Sequence, residues 1–272
     1  MFNPEEAEFE EAQNALKDNL SRVAANNGIE KDDFVEVSSG SLIQSRSWCG
    51  LGEEEGKGVQ TIEFRVHVAV PGGDGDGEGV IRVEVDLMDD RGEVGDRTGS
   101  VVWPCSSNLS SYLTQPSVLS TFPPSHTVLE ICSGSAALPS QFLSLLTSAQ
   151  VTASETPETL STLIKNLRLN STSLSINCVS YSVGDVDASL PKYDTVIGCE
   201  CVYDSINLNV LASSCKRLTK KRVMIAGSSQ CRLSAGSWDS VVEAFREEGF
   251  EHYETVTLDA DGEYICHIYN LL

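Results

Sequence analysis

The chain has 272 residues, 40% of them hydrophobic, enough for one large α/β domain with an N-terminal extension or for two small domains. Its formal net charge is -21, from 40 acidic and 19 basic side chains, and residues 1–100 hold 23 of the acidic and 9 of the basic ones. Such a field repels phosphate backbones, so we expect no nucleic-acid partner and favour a cationic one, such as a lysine side chain. The acidity would equally serve solubility alone.

Cysteine usage and the start of the chain bear on location. The nine cysteines are odd in number and lack the spacing of a small disulfide-bonded domain, which favours a reducing compartment. The opening residues do not resemble a signal peptide, and no stretch approaches the roughly 20 apolar residues that span a bilayer. We therefore expect a soluble protein of the cytoplasm or the nucleus, without a membrane partner, and take a monomer as the default.

The acidic extension that we assign to residues 1–97 contains two predicted elements. Residues 5–25 are predicted to form a helix because apolar side chains recur there at helical spacing, namely Phe9, Ala12, Leu16 and Leu20. Apolar residues then alternate with polar or small ones over 62–70 and again over 81–87, with a Gly/Asp-rich turn between them. This pattern predicts a β-hairpin.

From residue 128 onward, predicted strands alternate with predicted helices. The strands are expected at 128–132, 150–154, 174–179, 193–198, 222–227, 250–258 and 263–270, and the helices at 139–148, 157–169, 205–217 and 237–248. Such alternation predicts a mainly parallel sheet of the α/β, Rossmann-like class. The last two strands are joined only by residues 259–262, so they are predicted to form an antiparallel hairpin.

The first candidate motif runs from Val128 through Gly134, a strand that enters a turn before a helix. In open α/β sheets, ligands bind beyond the carboxyl ends of the strands. A glycine-rich turn lets the backbone approach a cofactor, and the helix that follows offers free N–H groups. A full E-x-G-x-G-x-G run would have three glycines where this chain has Cys132, Gly134 and Ala136. Alone, the segment is typical of any strand-turn-helix.

The second motif ends the next predicted strand at Glu155, 25 residues after Glu130. A carboxylate at that place can accept hydrogen bonds from both hydroxyls of an adenosine ribose. An acid just before Pro157 also suits a helix start. The position of Glu155 relative to the first motif favours ribose binding.

Two further segments complete the pattern. The predicted strand at 193–198 runs into an acidic and aromatic cluster over 198–204, where a methyl acceptor would meet a cofactor. Cys199 and Cys201 have no histidine nearby and lack a usual zinc spacing, so we predict no metal site. Trp103 stands in the remaining segment, 98–105, just before the nucleotide-type region.

These four segments, in this order and spacing, resemble the seven-β-strand protein-lysine methyltransferase family, methyltransferase family 16. The resemblance covers roughly residues 60–270 and is most specific over 98–104, 155–170 and 198–204. It implies a Rossmann-like seven-strand methyltransferase sheet in residues 98–272, with the N-terminal helix and β-hairpin as an extension. It also implies S-adenosylmethionine as cofactor and a lysine of a protein substrate as methyl acceptor.

The resemblance implies cofactor binding by residues of five segments, namely Trp103, Glu130, Cys132, Ser133, Gly134, Glu155, Val183 and Cys199. Trp103 would form one wall of the cofactor pocket, and the loop after Glu130 would lie under the methionine part of the cofactor. Glu155 would hold the ribose, and Cys199 would lie beside the cofactor. Val183 stands nearest in register to a tryptophan often found before the adenine-binding acid of the family.

For the acceptor, the resemblance implies that Glu200 and Tyr203 face the lysine amine. A lysine is mostly protonated at neutral pH, whereas the displacement needs a neutral amine held in line with methyl and sulfur. We hypothesise that Glu200 orients the lysine and that Tyr203 helps to form a narrow channel. Three alternatives stay open: a small-molecule methyltransferase, an inactive binding module with this fold, and, less favoured because G-x-G-x-x-G is absent, a nicotinamide-dependent oxidoreductase.

Overall fold

A computed structural model describes residues 42–47, 59–69, 76–86, 102–171, 174–203, 206–231 and 236–272. The predicted helix over 5–25 and the predicted domain boundary at 97/98 lie outside the described residues, and both stay predictions.

The described residues form three strands in an N-terminal sheet, seven strands in a central sheet and six helices. The strands are β1 (Leu42–Ser47), β2 (Val59–Ala69), β3 (Asp76–Asp86), β4 (Thr127–Ile131), β5 (Gln150–Glu155), β6 (Ile176–Ser180), β7 (Tyr193–Cys199), β8 (Thr219–Ser228), β9 (Phe250–Thr257) and β10 (Tyr264–Leu271). The helices are α1 (Pro104–Leu113), α2 (Pro116–Leu119), α3 (Leu138–Leu146), α4 (Pro157–Leu169), α5 (Leu208–Leu218) and α6 (Trp238–Glu247). None of these helices has the length and apolar composition to cross a membrane.

The central sheet has the strand order β6-β5-β4-β7-β8-β10-β9. Neighbouring strands in the run β6-β5-β4-β7-β8 pair in parallel. β10 runs antiparallel to both of its neighbours, β8 and β9. The predicted Rossmann-like seven-strand sheet with its C-terminal antiparallel hairpin is therefore confirmed.

Strands β4 and β7 form the middle of this sheet, and both are buried. Val128, Leu129 and Ile131 of β4 and Val196 and Ile197 of β7 have no exposed surface. Helices cover both faces of a parallel sheet, so its central strands are rich in apolar residues along their whole length. From β4 the chain adds β5 and β6 on one side, and it then returns to place β7 on the other side of β4. This reversal of strand order opens a crevice at the carboxyl ends of β4 and β7.

The N-terminal β-hairpin prediction is also confirmed. β2 and β3 pair antiparallel along their whole length, and β1, which was not predicted, adds to the free edge of β2. Phe64, Ile81 and Val83 from this sheet are fully buried and belong to one apolar cluster with Leu138 and Phe142 of α3. Full burial of such side chains stabilises a fold by about 1.5–3 kcal/mol each. The hairpin is therefore packed against the helix that follows β4.

Two helices, α1 and α2, were not predicted from the sequence. Each begins with a proline at its first turn, Pro104 and Pro116, where a missing N–H costs nothing. The helix predicted from residue 205 starts later, at Leu208. Its start is set by Asn207, whose Oδ1 accepts hydrogen bonds from Asn209 N at 3.0 Å and Val210 N at 3.2 Å.

Candidate functional site

The loop that follows β4 turns sharply through left-handed backbone. Cys132 has φ 51°, Gly134 has φ 62° and Ala137 has φ 42°. Glycine adopts this region freely, whereas a residue with a Cβ is strained there by about 1–3 kcal/mol. Cys132 thus has a backbone conformation that favours glycine. It stands at the first of the two motif positions where this chain has another residue in place of glycine. The loop has the shape of the motif without its full set of glycines.

Hydrogen bonds fasten this loop to β5. The N–H and Oγ of Ser133 both donate to the carbonyl oxygen of Ser154, at 3.1 and 3.0 Å. Ser154 Oγ in turn donates to the carbonyl oxygen of Glu130 at 2.9 Å. Ser154, which sequence reasoning did not single out, therefore ties the ends of β4 and β5 together. Its only sequence signal was a small polar residue inside an apolar strand.

Glu155 lies beside the loop, as its predicted role requires. Its Oε2 accepts a hydrogen bond from Gly134 N at 2.7 Å, and its Oε1 accepts one from Thr156 N at 3.0 Å. The side chain is buried, and burial raises the pKa of its carboxyl, which the two backbone N–H groups act to lower. Each carboxylate oxygen offers more acceptor sites than one N–H uses. The structure thus brings the first two motifs into contact.

Glu130 points away from the loop tip, toward the start of α3. Its Oε2 accepts a hydrogen bond from Ser140 N at 2.9 Å, and the N-terminus of a helix favours such a negative group. Burial raises the pKa of Glu130 to about 8, and the neighbouring charge of Glu155 adds to the rise. The hydrogen bond of Glu130 therefore holds the start of α3 against β4.

The carboxyl end of β7 is shaped by Gly198 and Glu200. A Cβ on Gly198 would lie 2.7 Å from Cys201 Sγ and 3.1 Å from Ile225 Cδ1, so no larger residue fits there. Glu200 has φ 52°, and its N–H donates to the carbonyl oxygen of Ala226 at 2.9 Å. This left-handed residue turns the chain sharply out of the sheet, beside the crevice.

Cys199 brings helix α1 to the same end of the sheet. Its buried thiol lies beside the buried thiol of Cys105 in the first turn of α1, and this neighbour, with burial, raises the pKa of Cys199. Trp103, two residues before Cys105, is half-buried and immediately precedes α1. The segment that carries Trp103 is therefore anchored beside β7, far along the chain from it.

Tyr203 lies at the rim of the crevice, with 43% of its surface exposed. Burial of the remainder raises its pKa, and the nearby Cys132, Cys201 and Glu155 add to the rise. These neighbours come from the ends of three strands. Tyr203 therefore faces the same region as the β4 loop and the acid of β5.

The segment after β6 carries Val183, which is half-buried and packs on the apolar core. This segment is held by residues that sequence reasoning missed. Tyr181 N donates to the carbonyl oxygen of Glu155 at 2.9 Å, and Gly184 N donates to Ser214 Oγ at 3.0 Å. These two hydrogen bonds fix the segment of Val183 near the end of β5.

A metal centre was not predicted, and among the described residues no group of three or more His, Cys, Asp or Glu side chains could hold a metal ion.

Comparison with known families finds a match. The model of a lysine methyltransferase family matches residues 84–237, which is more than half of the chain. No curated protein sequence matches the chain significantly.

Solved structures of similar fold are distant in sequence. The S-adenosylmethionine-dependent methyltransferase SibL in its apo form has a TM-score of 0.50 and 14% identity, over 61% of this chain and 54% of SibL. Magnesium protoporphyrin IX methyltransferase from Synechocystis, crystallised with S-adenosylhomocysteine, has a TM-score of 0.49 and 13% identity, over 61% and 81%. A TehB-like methyltransferase from Corynebacterium glutamicum has a TM-score of 0.47 and 11% identity, over 64% and 90%. At 14% identity, the similarity to SibL describes the fold alone.

Proposed function

This chain belongs to the lysine methyltransferase family, and on that premise we propose that it transfers methyl groups to a lysine side chain of a protein substrate. The general activity, methyl transfer from S-adenosylmethionine, is that of the family. The lysine acceptor and the protein substrate are what the proposal adds.

The contact between Gly134 N and Glu155 Oε2, at 2.7 Å, carries the proposal. It puts a glycine turn and an acid side by side at the carboxyl ends of β4 and β5. Ligands of open α/β sheets bind at this edge, where the strand order reverses. The residues present therefore fit an adenosine cofactor, because the Glu155 carboxylate keeps acceptor sites for a ribose diol.

The cofactor, when bound, supplies a methyl group on a sulfonium. Glu155 would hold its ribose, and Cys132, Ser133 and Gly134 would form the loop under its methionine part. Support for this placement comes from the left-handed turn at Cys132 and Gly134, which directly follows β4 at the carboxyl end of the sheet. Trp103 and Cys199 would line the pocket from the β7 side, and Val183 from the side of β6.

The acceptor would enter past Glu200 and Tyr203. The sharp turn at Glu200 lets the chain lead from β7 to the rim where Tyr203 is half-exposed. A carboxylate there attracts a protonated lysine and orients it, while apolar walls lower the lysine pKa and so favour the neutral amine. Tyr203 would exclude water from the mouth of the channel. The acceptor then needs alignment and no covalent intermediate.

The remaining parts of the proposal concern partners and location. The net charge of -21 supports a substrate with a basic surface, and it argues against nucleic acid. We propose a monomer without a membrane partner. The odd number of cysteines supports a reducing compartment, the cytoplasm or the nucleus.

The test is labelling with radioactive S-adenosylmethionine. The purified full-length chain is incubated with the labelled cofactor and an extract of the cells it comes from, and acid-precipitated protein is separated from small molecules. Label in protein that hydrolyses to methyl-lysine supports the proposal. Label only in small molecules would make the chain a small-molecule methyltransferase.

The second candidate is an inactive binding module, and the strained Cys132 in place of a glycine favours it. Titration calorimetry separates the two. Absence of S-adenosylmethionine binding at millimolar concentration would favour the binding module and overturn the proposed activity.

A further inference from the structure

Asn170 at the end of α4 joins the N-terminal sheet to the methyltransferase sheet. Its Oδ1 accepts a hydrogen bond from Arg82 N at 3.0 Å, and its Nδ2 donates to Arg82 O at 2.7 Å. The side-chain amide therefore pairs with β3 as a backbone amide of a neighbouring strand would. Asn170 is 6% exposed, so its side-chain amide is buried on the α4 side of these hydrogen bonds.

From Asn170, further hydrogen bonds lead to the loop after β4. Asn170 Nδ2 also donates to Gln141 Oε1 at 2.7 Å, and Gln141 Nε2 donates to the carbonyl oxygen of Ala136 at 2.7 Å. Beside them, Asn166 Nδ2 donates to the carbonyl oxygen of Ser135 at 2.9 Å. Gln141 and Asn166 are fully buried. Two consecutive carbonyl groups of the loop are thus held by buried amides.

Apolar packing follows the same path. Ala136 belongs to the apolar cluster that Phe64, Ile81 and Val83 of the hairpin form with α3. The loop between Gly134 and Ala137 includes left-handed residues at both ends. A strained segment of this kind persists only when its surroundings hold it. Here the surroundings are the hairpin on one side and the buried amides on the other.

We infer that Gln141, Asn166 and Asn170 are positioning residues for the cofactor loop, and that the N-terminal hairpin acts through them. By holding the carbonyl groups of Ser135 and Ala136, they orient the preceding turn so that Gly134 N reaches Glu155. Cofactor affinity then depends on residues that touch no cofactor. The inference rests on cofactor binding at this loop, which is part of the proposed function.

The experiment compares near-isosteric neutral substitutions. Gln141→Leu and Asn166→Leu each remove a loop hydrogen bond without adding charge, and Asn170→Leu removes the hairpin connection. Each variant of the full chain is titrated with S-adenosylhomocysteine by calorimetry, at a temperature where circular dichroism shows it folded. The dissociation constant is expected to rise about tenfold for each variant, an effect equal to one lost neutral hydrogen bond.

The matched control is Val241→Ala in α6. Val241 is fully buried, so its truncation lowers stability, but it lies in a different apolar cluster from Ala136, the loop residue that packs with the hairpin. Its dissociation constant is expected to stay within about twofold of the unsubstituted chain. Equal loss of affinity in Val241→Ala would overturn the inference, because general destabilisation would then explain the effect.

A second measurement covers variants that fail to fold. Asn170→Asp keeps the acceptor for Arg82 N but replaces the donor to Arg82 O and Gln141 Oε1 by a charged oxygen that repels both, so amide hydrogen exchange over residues 135–138 is expected to be faster in it than in Val241→Ala. Unchanged exchange there, or wild-type affinity in Gln141→Leu and Asn166→Leu, would overturn the inference. If the unsubstituted chain itself binds no cofactor, the proposed function fails instead.

Discussion

The backbone N–H of Gly134 donates a 2.7 Å hydrogen bond to Oε2 of Glu155. Glu155 is the last residue of β5, and Gly134 lies 21 positions earlier, in the turn after the neighbouring parallel strand β4. This hydrogen bond joins the turn after β4 to the carboxylate at the end of β5.

Replacement of Glu155 should weaken cofactor binding strongly. Glu155→Ala removes the carboxylate proposed to hold the ribose and leaves Gly134 N without its acceptor. Hydrogen bonds to a charged group contribute about 1.5–3 kcal/mol each, so we expect the dissociation constant for S-adenosylhomocysteine to rise roughly a hundredfold in calorimetry. Glu158→Ala, at an exposed acid in the first turn of α4, is the control and should bind as the unsubstituted chain does. Normal binding by Glu155→Ala would remove Glu155 from the site.

The left-handed backbone of Cys132 should make it intolerant of β-branched residues. Cys132→Val is expected to lower the free energy of unfolding by about 2 kcal/mol, measured by urea denaturation, because a branched Cβ is strained at positive φ. Cys132→Gly should fold normally and keep cofactor affinity. Cys178→Val is the control, since Cys178 is a half-buried residue of β6, where β-branched residues fit. Equal stability of the two valine variants would show that Cys132 is not strained.

Substitutions at the acceptor side should separate turnover from cofactor binding. Glu200→Gln and Tyr203→Ala are expected to reduce the turnover number by roughly tenfold or more, because alignment of the acceptor is lost, while the cofactor dissociation constant changes little. Turnover is measured with the labelled substrate protein once identified. Tyr253→Ala, at an aromatic residue of β9 that is 67% exposed, serves as control. If both acceptor-side variants turn over normally, their assignment is wrong.

Two buried histidines should make the fold sensitive to mild acid. Burial lowers the pKa of His126 and of His267 to about 4, and the adjacent His252 contributes to the shift at His267. Unfolded histidine has a pKa near ~6.5, so the unfolded chain binds protons first as the pH falls. The stability that depends on neutral histidines is fully present above about pH 6.5 and is lost as the pH falls toward 4.

Urea denaturation at pH 7 and pH 5 measures this loss. We expect each buried histidine to contribute on the order of 1–2 kcal/mol to the difference between the two pH values. The His126→Gln and His267→Gln variants should each show a smaller difference than the unsubstituted chain. His252→Gln, at an exposed position, removes only the smaller contribution to the shift at His267 and should reduce the difference less than His267→Gln does. An unchanged pH dependence in both variants at buried positions would contradict the predicted linkage.

Much of the fold could be predicted because its signals are local. The apolar run at 128–131 predicted a buried central strand, and the four residues at 259–262 left room only for an antiparallel turn between β9 and β10. Helix α1 was missed, since Pro104 and the small polar residues after it lack a clear apolar stripe. The site residues could be named from the order of segments, and their roles stay predictions.

The sequence by itself determined which residues end the strands, because alternation, apolar runs and turn residues are set by neighbours along the chain. Only the tertiary structure decided which of those ends meet. Cys199 contacts Cys105, and Asn170 pairs with Arg82 across 88 positions, although neither pair has a local signal. A side-chain amide that replaces a strand partner, and a loop held in left-handed backbone by buried donors, depend on how sheets and helices pack. Such contacts form only when distant segments are brought together and water is excluded between them.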